Sequence, residues 1–208
     1  MLRVGLTGSI AVGKSFVSGV LVKLGCRVLD ADETAREVVE PGSPGLREVV
    51  ARFGDSVIKS DGTLDRPALG AVVFADANKR ATLNSILHPY IIARQDERLR
   101  EWEALEPDGI AIVDAALMIE SGGYKRFDKL IVIHCRPDVQ LERLMTRDKL
   151  TRDEAERRIA SQMPQEEKKK FADYLIDTSD GFETARQSTV EVYGRLCQEA
   201  QKKNSSSV

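Results

Sequence analysis

The chain has 208 residues, 42% of them hydrophobic, with 31 Lys and Arg set against 33 Asp and Glu for a net charge of -2. That length supports one substantial core with inserted subdomains, and the composition is that of a soluble globular protein, which excludes the disordered and membrane-spanning classes. The slightly acidic balance argues against a nucleic-acid footprint, so small molecules are the expected partners, with no nucleic acid and no membrane.

The first predicted element is a strand, Leu2 to Thr7, leading straight into Gly8-Ser-Ile-Ala-Val-Gly-Lys-Ser15. This is a complete G-x-x-x-x-G-K-S phosphate loop in its strand-loop-helix context, the helix running from Phe16 to Leu24 and stopping at Gly25. Gly8 and Gly13 permit a tight turn whose backbone N–H groups face phosphate oxygens, and the following helix offers its positive end to the same anion. Lys14 supplies a point charge for the β- and γ-phosphates, and Ser15 a hydroxyl oxygen suited to Mg²⁺. The expected ligand is a Mg-nucleoside triphosphate, with contacts from Gly8, Ser9, Ile10 and Ala11 through Val12, Gly13, Lys14 and Ser15 to Phe16.

The second strand, Arg27 to Asp30, opens onto Asp30-Ala-Asp32. Sites in open α/β sheets collect at the carboxyl ends of strands. Two readings of Asp32 stand: a carboxylate that orients an acceptor hydroxyl for in-line attack, or an N-cap for a helix over Glu33 to Val39. Asp30 is read as structural. Pro41 to Gly45 interrupts the helices before Leu46 to Phe53. From Asp65 to Leu105 the apolar residues, among them Leu69, Val73, Leu83, Leu87 and Ile91, recur at helical spacing, which predicts a helical insertion broken at His88-Pro89.

The third strand, Ile110 to Asp114, ends in an acid placed to reach a Mg²⁺ shell or to cap a turn. After a fourth strand, Lys129 to His134, comes a lid-like segment bearing Arg143, Arg147, Arg152, Arg157 and Arg158, with a capping box at Thr151 and Glu154. One or two of these arginines are expected on phosphate, and the rest in salt bridges on a solvated face. A fifth strand, Tyr174 to Asp177, completes the alternation of a parallel α/β sheet, and a polar tail over 201–208 is expected to fray. Cys26, Cys135 and Cys197 are widely spaced and lack C-x-x-C pairing, and the first strand leaves no room for a signal peptide, so a cytoplasmic location is expected. No heptad seam indicates an oligomeric state.

Taken together, these residues resemble the dephospho-coenzyme A kinase family over nearly the whole chain. The likeness rests on Gly5 to Ser15, Asp30-Ala-Asp32 with Ala35-Arg36, Val39 to Gly42, Asp61 to Arg66, Leu87-His-Pro89, Leu117 to Glu120, Arg147-Asp148, Gln162-Met163, and Ala172-Asp173 with Ile176-Asp177. The resemblance implies a P-loop nucleoside-kinase-like α/β fold: core at about 1–58, 108–137 and 172–200, helical substrate insertion at about 59–107, lid at about 138–171. It implies ATP-dependent phosphorylation of the ribose 3′-hydroxyl of dephospho-coenzyme A, the last step of coenzyme A biosynthesis. Asp32, Lys14 and Arg147 would be catalytic, Asp32, Arg36 and His88 would face the acceptor, and Ser15 and Asp114 would serve the metal. The chain departs from the family pattern at Ala11-Val12, where a glycine-containing pair is usual, at Phe16 for Thr, at Ala116 for Pro and at Thr178 for Asn.

Overall fold

The computed structural model describes residues 1–205 and divides into two compact units, residues 1–29 with the chain from Trp102 onward, and Asp30–Glu101. In chain order the elements are β1 (Leu2–Gly8), α1 (Lys14–Lys23), β2 (Arg27–Asp30), α2 (Ala31–Glu37), α3 (Pro44–Phe53), α4 (Arg66–Phe74), α5 (Ala77–Leu105), β3 (Ile110–Asp114), β4 (Lys129–His134), α6 (Pro137–Asp148), α7 (Arg152–Ala160), α8 (Gln165–Lys169), β5 (Tyr174–Asp177) and α9 (Phe182–Ser205).

The five strands form one sheet in the order β2-β3-β1-β4-β5, with β1 parallel to both β3 and β4, and β4 parallel to β5. A parallel strand covered on both faces reads as a continuous apolar run, which is why Ile110–Asp114 and Lys129–His134 are recognisable without alternation. Val4, Leu6, Ile112, Ile131, Ile133 and Ile176 fill the sheet layer and pack with Val17 and Leu21 of α1 and Val192 and Leu196 of α9. The register sets Leu6 beside Asp114 and Gly8 beside Ile133, so the carboxyl ends of β1, β3 and β4 finish at one edge.

His134 closes β4 with its side chain 14% exposed. Burial, reinforced by Lys169, holds its pKa below the ordinary 6.5 against the opposing pull of Asp177 and Glu166. The folded state therefore prefers the neutral imidazole; its contribution to stability is present above the unfolded value and is lost as pH falls through the lowered one. Urea midpoints are expected to drop between about pH 7.5 and about pH 5.5, and His134→Asn to flatten that drop. An unaltered slope in the variant would assign the dependence to other groups.

In the second unit, Asp30–Glu101, Val39, Leu46 and Val49 share a core with Val57, Leu64, Leu69 and Val73. Helix α3 starts inside the Pro41 to Gly45 stretch: the Ser43 hydroxyl accepts the Leu46 N–H and Pro44 occupies the first turn. The break expected at His88-Pro89 does not occur, since α5 runs through Pro89 without ending. Proline there removes the bond to the Ser85 carbonyl, but both residues are exposed, so water can satisfy that carbonyl. The tail also differs: α9 continues to Ser205, tied down by the Lys203 ammonium on the Met1 carbonyl and on Asp128. Residues 206–208 of the expected fraying tail lie outside the described residues. No helix among the described residues is long and apolar enough to cross a membrane.

Candidate active site

The phosphate loop leaves β1 at Gly8 and enters α1 through Gly13, whose φ of 86° lies in the left-handed region. A side chain at Gly8 would place its Cβ 2.7 Å from the Ile133 carbonyl oxygen, so the first glycine is required by β4 and the second by the turn. Ala11 also has a positive φ, 61°, which accounts for the glycine usual in this part of the loop. An alanine there carries a strain of about 1–2 kcal/mol. The Gly13 cap makes no side-chain hydrogen bond, and the Lys14 and Ser15 N–H groups of the first turn have no intrahelical acceptors, leaving donors for an anion.

Lys14 forms an ion pair with Asp114 of β3, whose side chain is only 6% exposed against 19% for Lys14. The pairing holds the ammonium over the seam between β1 and β3. Ser15, the next residue of α1, is exposed. One hydroxyl and one carboxylate are hard oxygen donors of the number Mg²⁺ takes from protein when phosphates and water complete its shell, so this donor set fits the ion.

Several residues without a family role in the sequence reading shape this loop. The Ile10 N–H donates to Gln162 Oε1 at 2.8 Å, and Gln140 Nε2 donates to the Ile10 carbonyl at 2.8 Å. Gln165 Nε2 in turn donates to Gln140 Oε1, while its own Oε1 accepts the Cys135 N–H. Thr178 Oγ1 donates to the Val12 carbonyl at 2.7 Å and accepts from Arg143, whose second nitrogen reaches the Thr178 carbonyl at 2.7 Å. The Thr178 departure is thus built into the loop, with Arg143 behind it. Below lies Lys168, fully buried, donating to the Ala116 carbonyl and paired with Glu120, each at 2.8 Å. Its position among Glu166, Glu167, Lys169 and Lys170 reads as a solvated charge run; Lys169 and Lys170 do pair outward at i−3, whereas Lys168 takes the inner face of α8.

Arg147 lies in the last turn of α6, and both its Nε and an Nη bind the neighbouring Asp148, which also receives Arg158. The Arg152–Glu156 pair follows the expected salt-bridged face. Asp32, Arg36 and His88 belong to the other compact unit, and each is exposed. The capping reading of Asp32 fails: α2 begins two residues early, and Asp30 is the cap, its Oδ1 accepting the Asp32 N–H at 2.7 Å and the Glu33 N–H at 3.3 Å. Asp32 sits inside the first turn with its carboxylate outward to solvent.

The family model for dephospho-CoA kinase matches residues 2–183. The chain belongs to the dephospho-CoA kinase family. It is accordingly an ATP-dependent kinase that phosphorylates dephospho-coenzyme A in coenzyme A biosynthesis. Among its relatives, the dephospho-CoA kinase of Streptomyces avermitilis is 42% identical over 201 residues, covering 96% of each chain, and that of Geobacter sulfurreducens is 42% identical over 92% of this chain and 97% of its own. A dephospho-CoA kinase structure from Campylobacter jejuni superposes with a TM-score of 0.73 at 30% identity, covering 95% of this chain and 98% of that one. The structure of TT1252 from Thermus thermophilus gives 0.80 at 29% identity, over 94% and 97% of the respective chains.

Proposed function

We propose that this kinase transfers the γ-phosphoryl group of Mg-ATP to the ribose 3′-hydroxyl of dephospho-coenzyme A, in the cytoplasm, with Asp32, Lys14 and Arg147 as its catalytic groups. The observation that supports the donor side is the Lys14 ammonium, held by Asp114 at the mouth of a left-handed glycine turn. The loop from Gly8 to Phe16 cradles the phosphates. Ser15 and Asp114 would hold Mg²⁺, which would offset phosphate charge when bound.

Phosphoryl transfer passes through a loose transition state with charge spread over the equatorial oxygens, so positioning and cations carry most of the catalysis. Lys14 offsets charge at the β- and γ-phosphates. Asp32 accepts the proton of the 3′-hydroxyl and aligns its oxygen, with Arg36 and His88 on the acceptor side. Arg147 exchanges Asp148 for the transferring group, a trade between two anions that leaves its charge matched throughout.

Mass spectrometry of the product formed from Mg-ATP and dephospho-coenzyme A tests donor and acceptor together, and NMR of the product locates the phosphate. Addition at a hydroxyl other than the 3′ would overturn the acceptor assignment. Arg147→Ala is expected to lower kcat by about tenfold to a hundredfold with a smaller change in KM for either substrate, because its phosphate contact strengthens in the transition state. A change in KM alone, in steady-state kinetics, would remove Arg147 from the chemical step.

A further inference from the structure

We propose that Phe16 and Phe182 together form the stacking surface for the purine base of the nucleotide donor. This rests on the reading of the loop as the triphosphate site and extends it to the base. The direction of the triphosphate across the sheet edge follows from Lys14. Its charge marks the β/γ end of a P-loop nucleotide, and it is anchored on Asp114 of β3. The strand order puts β3 on one side of β1 and β4 with β5 on the other. A triphosphate whose γ end lies over β1 and β3 sends its α-phosphate and nucleoside toward β4 and β5.

Two aromatic rings stand on that side. Phe16 follows Ser15 directly on α1, and Phe182 opens α9 after the loop that leaves β5. Their ring centroids are 4.7 Å apart with planes inclined by 42°. The segment between β5 and α9 is fixed to the phosphate loop by Thr178 on the Val12 carbonyl, so Phe182 is carried by the same framework that shapes the anion cradle. Phe182 is 68% exposed, whereas Phe16 is partly buried and packs against the sheet core. A large apolar ring left in water next to a charged loop gains area by covering a flat partner, and every purine offers a π-face for that contact.

The phosphates and the base make separable contributions, which inorganic tripolyphosphate isolates because it has no base. Calorimetric titration of the full chain with ATP and with tripolyphosphate, each with Mg²⁺, measures both. For Phe182→Ala, ATP is expected to bind about tenfold more weakly, within the range found when an aromatic stacking partner of a base is removed, and tripolyphosphate within about twofold of the parent. Phe182→Trp is expected to retain ATP affinity, with its indole emission changed by ATP and not by tripolyphosphate. Unchanged ATP affinity in the alanine variant, equal losses for both ligands, or an indole that responds to tripolyphosphate as it does to ATP would overturn the stacking role while leaving the loop reading intact. Failure of tripolyphosphate to bind the parent chain would overturn the loop reading and the platform with it.

Discussion

Replacing Asp32 by Asn is expected to lower kcat by about 10²- to 10⁴-fold, the range for loss of a positioned general base, while the ATP dissociation constant stays within about twofold of the parent. The asymmetry follows from where Asp32 sits. It is an exposed residue in the first turn of α2, and the capping of that helix belongs to Asp30, so removing its charge leaves the helix start intact. A structural role would instead appear as a lowered melting temperature at near-normal turnover per folded molecule. Single-turnover quench-flow with saturating Mg-ATP separates these cases. Turnover within about threefold of the parent would take Asp32 out of the mechanism. Asp30→Ala is the natural control, since it should destabilise α2 by about 1 kcal/mol without abolishing the chemical step.

Lys14→Met is expected to lower kcat by about 10²- to 10³-fold and to weaken ATP as well, because the role proposed for this ammonium, on the β- and γ-phosphates, acts in the ground state and more strongly as charge develops. It also takes the cation away from an Asp114 carboxylate that is only 6% exposed. Losing one partner of such a pair costs about 1–3 kcal/mol, so the single variant should melt earlier than the parent. Adding Asp114→Asn to Lys14→Met should restore part of that stability, since an amide is less costly to bury than a carboxylate that has lost its ammonium, without restoring turnover. Thermal melts of the four proteins of this cycle give the coupling between the two residues. Recovery of activity in the double variant would show that Lys14 serves only to neutralise Asp114.

The architecture was largely legible from residues alone because its strands are buried and parallel. The runs 110–113 and 130–133 are apolar throughout and each is followed by a polar residue at the carboxyl end of its strand, so their bounds could be read directly. The phosphate loop was legible because its glycines and lysine each answer a separate physical demand. Pro89 misled because a local signal of helix termination was overridden where solvent could satisfy the exposed backbone. The core of the second unit was not legible, because nothing in the spacing of Val39 and Leu46 announces that they pack with Leu69 and Val73.

Around the loop, the less legible residues are those whose partners are distant in sequence. Gln140 and Gln162 lie 130 and 152 positions from Ile10, and a glutamine on a charged helix carries no mark of such a contact. Thr178 reads as a deviation from a family pattern until its hydroxyl is seen on the Val12 carbonyl. Lys168 was hidden by composition: only the phase of a five-residue helix turns it inward, away from the neighbours that resemble it.

The amide of Gln162 on the Ile10 N–H limits how the arginine-bearing helices can pivot. A swing that carried Gln162 outward would strip a backbone donor at the crown of the loop of its acceptor. Hinging on the far side of that residue avoids this, at Lys149, already left-handed with φ 53°, and at Ser161, which closes α7. The stretch between these two points carries Arg152, Arg157 and Arg158, so a rotation confined to them would leave the crown of the loop and its glutamine acceptor in place.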